Sequence, residues 1–162
     1  MKKYFLPFLT AMAALVLVAC SKSDEDPFYG VKAELDDVEL MVKQSEGELS
    51  IVNMGVDAGI NLYSDDKGGF SIWLDRTTTP GTYDLADSEV RLSYIQEATA
   101  LNFYHFNSGT IHIKKFEHGE QMHIKATFSG VASPTSDPED KIIITDGEME
   151  LKGEGSLLDF GN

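Results

Sequence analysis

Residues 110–128 constrain the fold more than any other part of the chain. In Thr110-Ile111-His112-Ile113-Lys114, and again in Met122-His123-Ile124-Lys125-Ala126-Thr127-Phe128, apolar and polar residues alternate one for one. A period of two belongs to a strand with one face in a core and the other in water; a helix repeats every 3.6 residues. Between the arms, His118-Gly119 supplies a tight reversal, glycine tolerating the positive φ that such turns use. Pairing Ile113 with Ile124 puts both on the buried face. That register sets His112 opposite Lys125 and Lys114 opposite His123, with the two histidines as diagonal neighbours about 7–8 Å apart. Lys115-Phe116 interrupts the alternation, and a bulge there returns Phe116 to the core.

Other segments read the same way. Ile142-Ile143-Ile144-Thr145, then Asp146-Gly147, then Glu148-Met149-Glu150-Leu151-Lys152 predicts a second hairpin turning at Asp-Gly. Residues 133–140 hold two prolines and no large apolar residue, and read as a surface loop. Residues 48–52, 60–63, 70–74, 90–94 and 101–106 are further strands, and Pro80-Gly81 fits the centre of a type II turn with glycine at the positive-φ site. Two segments also fit a helical face, Leu35, Val38 and Val42 in one, and Val90, Tyr94, Ala98 and Leu101 in the other. Their neighbours are all strands, so strands are expected there too, a short helix near residues 37–44 being the alternative. The expected fold is all-β: a single antiparallel β-sandwich or partly open barrel over residues 28–152, with a tail at 153–162 whose Leu157, Leu158 and Phe160 either hang free or dock on the sheet.

The 162 residues include 27 acidic and 13 basic side chains, a formal net charge of −14. A nucleic-acid binder needs a basic face to neutralise phosphate, so that partner class is excluded. The length allows one modest core. There is one cysteine, so no disulfide can form within the chain.

That cysteine closes an address at the N-terminus. Lys2 and Lys3 precede an apolar run from residue 5 to 19, too short to span about 30 Å of hydrocarbon and followed by polar, acidic sequence. The run ends Leu17-Val18-Ala19-Cys20, which resembles the lipobox of bacterial lipoproteins. The resemblance implies cleavage between Ala19 and Cys20, a thioether lipid on Cys20 and acylation of the new amine; several chains, at about 0.8 kcal/mol per buried CH₂, anchor where one does not. The expected organisation is a signal peptide at 1–19, a lipidated linker at 20–27, the β-domain and the tail. Loss of Lys2 and Lys3 with the leader takes the formal charge from −14 to −16. Asp24-Glu25-Asp26 is similar to the acidic export signal of surface lipoproteins in Bacteroidota, the plainer alternative being a solvated spacer. Residues 21–27 reach at most about 25 Å when extended.

Pro80-Gly81-Thr82-Tyr83, Ser108-Gly109-Thr110-Ile111-His112-Ile113, Ala126-Thr127-Phe128-Ser129-Gly130 and Ile142-Ile143-Ile144-Thr145-Asp146-Gly147-Glu148-Met149 together resemble, in order, a family of small Bacteroidota lipoproteins with the pattern GTY, SGTITI, GTFSF, ITNGVF. The likeness covers about residues 68–152. Ala126 replaces the family's usual glycine, and Asp146 its usual asparagine. The resemblance implies a secreted, lipid-anchored antiparallel β-domain and carries no activity with it; with the lipobox and the acidic run, the expected location is the outer membrane, displayed on the cell surface.

No catalytic motif stands out. Gly153-Glu154-Gly155-Ser156-Leu157 lacks the spacing of a nucleophile elbow, and no phosphate loop or His-Glu-x-x-His helix is present. His112 and His123, as expected neighbours on one face, are weak candidates for a metal, with Lys114 and Lys125 beside them opposing a cation; His105 and His118 read as surface residues. Asp65-Asp66 and Asp137, Glu139 and Asp140 could offer oxygen ligands to calcium but complete no calcium loop. Trp73, Tyr63, Tyr83, Tyr94 and Tyr104 could form a flat sugar-binding surface, although aromatic residues of a sandwich are expected mainly in its core. The expected function is a non-enzymatic envelope lipoprotein, binding or structural, with no cofactor beyond the lipid on Cys20. Its expected partners are the membrane, through that lipid, and an envelope protein or a glycan. A glycan- or calcium-dependent recognition module is one alternative. A hydrolase using two carboxylates about 5–9 Å apart is the other.

Overall fold

The computed structural model describes residues 27–54, 56–86, 89–97, 102–119 and 121–154. The leader, Ala19, Cys20, the acidic run and the tail beyond residue 154 lie outside them. Ten strands follow in chain order: β1 (Gly30–Leu35), β2 (Val38–Lys43), β3 (Glu48–Met54), β4 (Asp57–Ser64), β5 (Gly68–Asp75), β6 (Gly81–Asp84), β7 (Arg91–Glu97), β8 (Asn102–Glu117), β9 (Gln121–Pro134) and β10 (Ile142–Glu154). No helix occurs among the described residues, and the ambiguous segments near 35–42 and 90–94 are strands. All pairings are antiparallel, in the order β2-β1-β10-β9-β8-β7-β5-β4-β3, with β6 on β8. The sheet curls into a half-barrel around one core.

The curl comes from the three long strands. β8 pairs with β7 through its first residues and with β6 farther on, and between the two its register against β9 slips at Asn107. Gly109 follows at φ 121°; a methyl there would sit 2.2 Å from the Ser129 carbonyl oxygen of β9. An extra residue in one strand sharpens twist and bends it, which lets one strand serve both halves of the sheet. Inside the curl lie Val31, Val42, Ile60, Leu62, Phe70, Ile72, Ile111, Ile113 and Leu151, all fully buried. Phe70 packs on Tyr94 and Phe128, with ring centroids at 5.5 and 5.0 Å, and Phe106 meets Phe128 edge-on.

Several local expectations are corrected. Asp146-Gly147 does not turn the chain. Strand β10 runs straight through it, flanked by β9 and β1, and one extra residue on β10 is absorbed as a bulge against both neighbours. Asp146 takes φ 49°, so the left-handed preference that suits a hairpin serves the bulge instead. Gly147 is needed because a methyl would meet the Phe128 ring at 2.4 Å. The tight hairpin lies between β1 and β2, where Asp36 and Asp37 both take positive φ, the signature of a type I′ turn. Gly81 is not a positive-φ turn residue; it opens β6 opposite Ile113.

The 110–128 hairpin forms, but two residues out of the expected register. Ile113 faces Ala126, and Ile124 faces Phe116. The bulge falls at Lys114, and by inserting one residue it returns Phe116 to the core, the function expected of it. The alternation fixed which face each side chain takes and left the partner free.

Candidate functional site

The outer face of β3, β4, β5, β7 and the start of β8 carries a trough of about 770 Å³. Its floor is one row of cross-strand partners: Ser50, Asn61, Ser71, Ser93 and His105. Each is the outward residue between two inward apolar ones, as in Ile60-Asn61-Leu62 or Phe70-Ser71-Ile72, so the strand period itself aligns them. Asn61 Nδ2 donates to Ser50 Oγ at 3.1 Å, and Ser93 Oγ shares a hydrogen bond with His105 Nδ1 at 2.9 Å. Among the described residues, nothing bonds to the Asn61 amide oxygen or to His105 Nε2.

Two ridges flank this row, each two residues along the strands. On one side Gly59, Trp73 and Arg91 are partners. The Trp73 ring spreads over Gly59, where a methyl would come within 2.8 Å of it. The Arg91 guanidinium lies 5.9 Å from the ring centroid and is paired with Asp57 at 3.2 Å. On the other side Tyr63, Gly69, Ile95 and Phe103 are partners. The Tyr63 hydroxyl donates to Glu48 at 2.9 Å, and that bond raises its pKa. The Phe103 and His105 rings stack at 6.4 Å and 9°. The ridges shelter the floor between them, where Ser71 is 3% exposed and Ser93 6%, and Ile95 within the second ridge is itself 4% exposed, although none of the three belongs to the core cluster. A polar floor between largely apolar walls, with one charged pair among the described lining residues set at the rim, is the composition of a small-molecule site.

The histidine expectation is overturned. His112 faces Thr127, and His123 faces Glu117 and Lys152. Four residues of β9 separate the two levels, about 13 Å at strand rise. His112 Nδ1 bonds Thr82 Oγ1 at 3.0 Å, while His123 Nε2 lies 3.0 Å from Glu150, which also binds Lys125. No group of three or more His, Cys, Asp or Glu side chains converges on a metal position among the described residues. In the acidic loops Asp66 accepts from Ser64, Asp137 from the Glu139 amide, and Asp140 from the Tyr104 hydroxyl.

The aromatic residues divide. Tyr94 and Tyr104 are in the core and Tyr83 packs against it, as expected, whereas Trp73 and Tyr63 stand outside on the trough. Ser93, Asn61 and Arg91 carry no expectation from the sequence, and His105 reads there only as a surface residue, which it is. The signal that could have found them is the recurrence of a small or polar residue between two large apolar ones in five strands, read together with Trp73 two places from Ser71.

Compared with known proteins, the chain matches no protein-family model, no curated protein and no solved structure.

Proposed function

We propose that this chain is a lipid-anchored binding protein of the bacterial outer membrane, displayed on the cell surface, whose trough holds the sugar rings of a glycan. One observation carries the binding part: a row of hydroxyl, amide and imidazole groups lies between an indole on one side and two aromatic rings on the other. Sugar rings offer the matching surface, hydroxyls at the rim and C–H groups on the faces. Binding is favoured over hydrolysis because the described lining holds one carboxylate, Asp57, already engaged by Arg91. A two-carboxylate hydrolase requires a second beside it.

The lipobox at Cys20 supports the anchor, and the described chain enters the sheet at Pro27. Pro27, Phe28 and Tyr29 lie beside Lys43, Gln44 and Lys152, on the part of the sheet made by β1, β2 and β10. The trough is built on strands at the other end of the sheet order.

Two measurements test the proposal. Trp73 is the single tryptophan, so its fluorescence reports on the trough directly; a neutral glycan should shift it saturably, and Trp73→Ala should abolish binding measured by calorimetry. Labelled palmitate should enter the wild type and not Cys20→Ala. Label retained by Cys20→Ala would end the anchoring claim, and a panel of glycans without effect on Trp73 would end the binding claim.

A further inference from the structure

Resting on the glycan reading above, we propose that the trough takes an internal stretch of a linear, uncharged polysaccharide lying across the strands, about three to four sugars at a time. The floor row crosses β3, β4, β5, β7 and β8. Four inter-strand steps of about 4.8 Å make it about 19 Å long. A pyranose residue in a chain advances by roughly one such step, so the polar groups repeat in phase with the sugars they meet. Along the strands the two ridges stand four residues apart, about 13 Å between backbones before their rings fill in, which leaves the width of one ring.

The ends decide between a chain and a terminal sugar. Nearly every lining side chain belongs to the floor row or to one of the two ridges, and the exception, Asp57, lies outward of Trp73 on β4; none stands across an end of the row. One end opens at β3, the last strand of the sheet. At the other, His105 pairs with Ser133 of β9, a buried residue whose hydroxyl accepts from Asn107 Nδ2, and neither Ser133 nor Asn107 belongs to the lining. A pocket for a chain terminus needs a closed end, and this trough has none among its described residues.

Charge decides between neutral and acidic chains. Among the described lining residues the one Lys or Arg is Arg91, matched by Asp57, and the protein around it carries a net −14. That field repels an acidic polysaccharide and leaves an uncharged one indifferent.

The test uses full-length protein in a detergent without sugar headgroups, with Trp73 fluorescence as the readout. The probes are cello-, manno-, xylo- and malto-oligosaccharides of one to six units, and oligogalacturonides as the acidic series. For at least one neutral series, affinity should rise at least tenfold from one unit to four and then level off. Asn61→Ala and His105→Ala, toward opposite ends of the floor, should each weaken the four-unit ligand at least fivefold. Equal affinity for one and four units would overturn the chain proposal while leaving glycan binding intact, and preferential binding of oligogalacturonides would overturn the neutral assignment. Silence from every series would remove the glycan reading itself.

Discussion

Trp73 and Gly59 face each other on neighbouring strands, and the indole occupies the space that a side chain at residue 59 would need. A methyl on Gly59 would lie 2.8 Å from two ring atoms of Trp73. Because the obstacle is the far end of a side chain rather than backbone, the ring can swing aside. Gly59→Val should therefore fold, with stability lowered by about 1 kcal/mol, the order of a modest packing change. Its Trp73 emission should move toward the red as the ring turns to water, and any ligand response should fall at least tenfold. Emission and binding both unchanged would mean that Gly59 does not set the ridge.

The bulge on β10 makes a contrasting pair of glycine positions. Asp146 sits at φ 49°, so Asp146→Gly should be neutral or slightly stabilising in urea unfolding. Gly147→Ala brings a methyl to 2.4 Å from the Phe128 ring and 2.6 Å from its carbonyl oxygen, and the carbonyl cannot step away without breaking the β9 pairing. It should cost about 2 kcal/mol or more. A reversed order of these two variants would show that the bulge is misplaced.

The architecture was readable because alternation decides the face of a side chain without any knowledge of its partner. Ile111, Ile113, Ile124, Met149 and Leu151 are buried as that period requires. The period does not decide what lies opposite, so the His112 and His123 expectation failed when the hairpin settled two residues from the expected register, with Ile113 facing Ala126 rather than Ile124. Nor does it separate a turn from a bulge at Asp146-Gly147, since both use a residue at positive φ; the flanking strands β1 and β9 make the difference, and they are distant in sequence. The trough was hidden for the same reason. Ser50, Asn61, Ser71, Ser93 and His105 are unremarkable one at a time and become a floor only through four strand pairings.

The aromatic cluster at Phe70 should dominate the stability of the core. Phe70 is fully buried and meets Tyr94 and Phe128 at centroid distances of 5.5 and 5.0 Å. Phe70→Ala removes those contacts and leaves a cavity, at a cost of about 3–5 kcal/mol. Phe70→Leu should recover more than half of that loss. Urea midpoints of the three proteins check the order, and a Phe70→Ala variant as stable as the wild type would place the core elsewhere.

Glu150 should give the protein an identifiable acid limb. Burial pushes its carboxyl up, but the hydrogen bonds it accepts from Lys125 and His123 outweigh burial and hold it below its ordinary value. Lys125 is correspondingly raised by the same hydrogen bond and by the carboxylate charge. A carboxyl depressed in the folded state stabilises fully above its unfolded value, about 4.3, and loses that contribution as pH falls through the depressed folded value. A lysine raised in the folded state stabilises fully below its unfolded value, about 10.4, and loses the contribution as pH rises through the raised one. Between those limits the contribution of the pair is flat. Glu150→Gln should therefore destabilise the protein by a constant amount from about pH 5.5 to pH 9 and by progressively less below pH 4. Urea unfolding of wild type and variant across pH 3–9 measures that gap. A gap that widened in acid would mean that burial, not the two donors, governs this carboxyl.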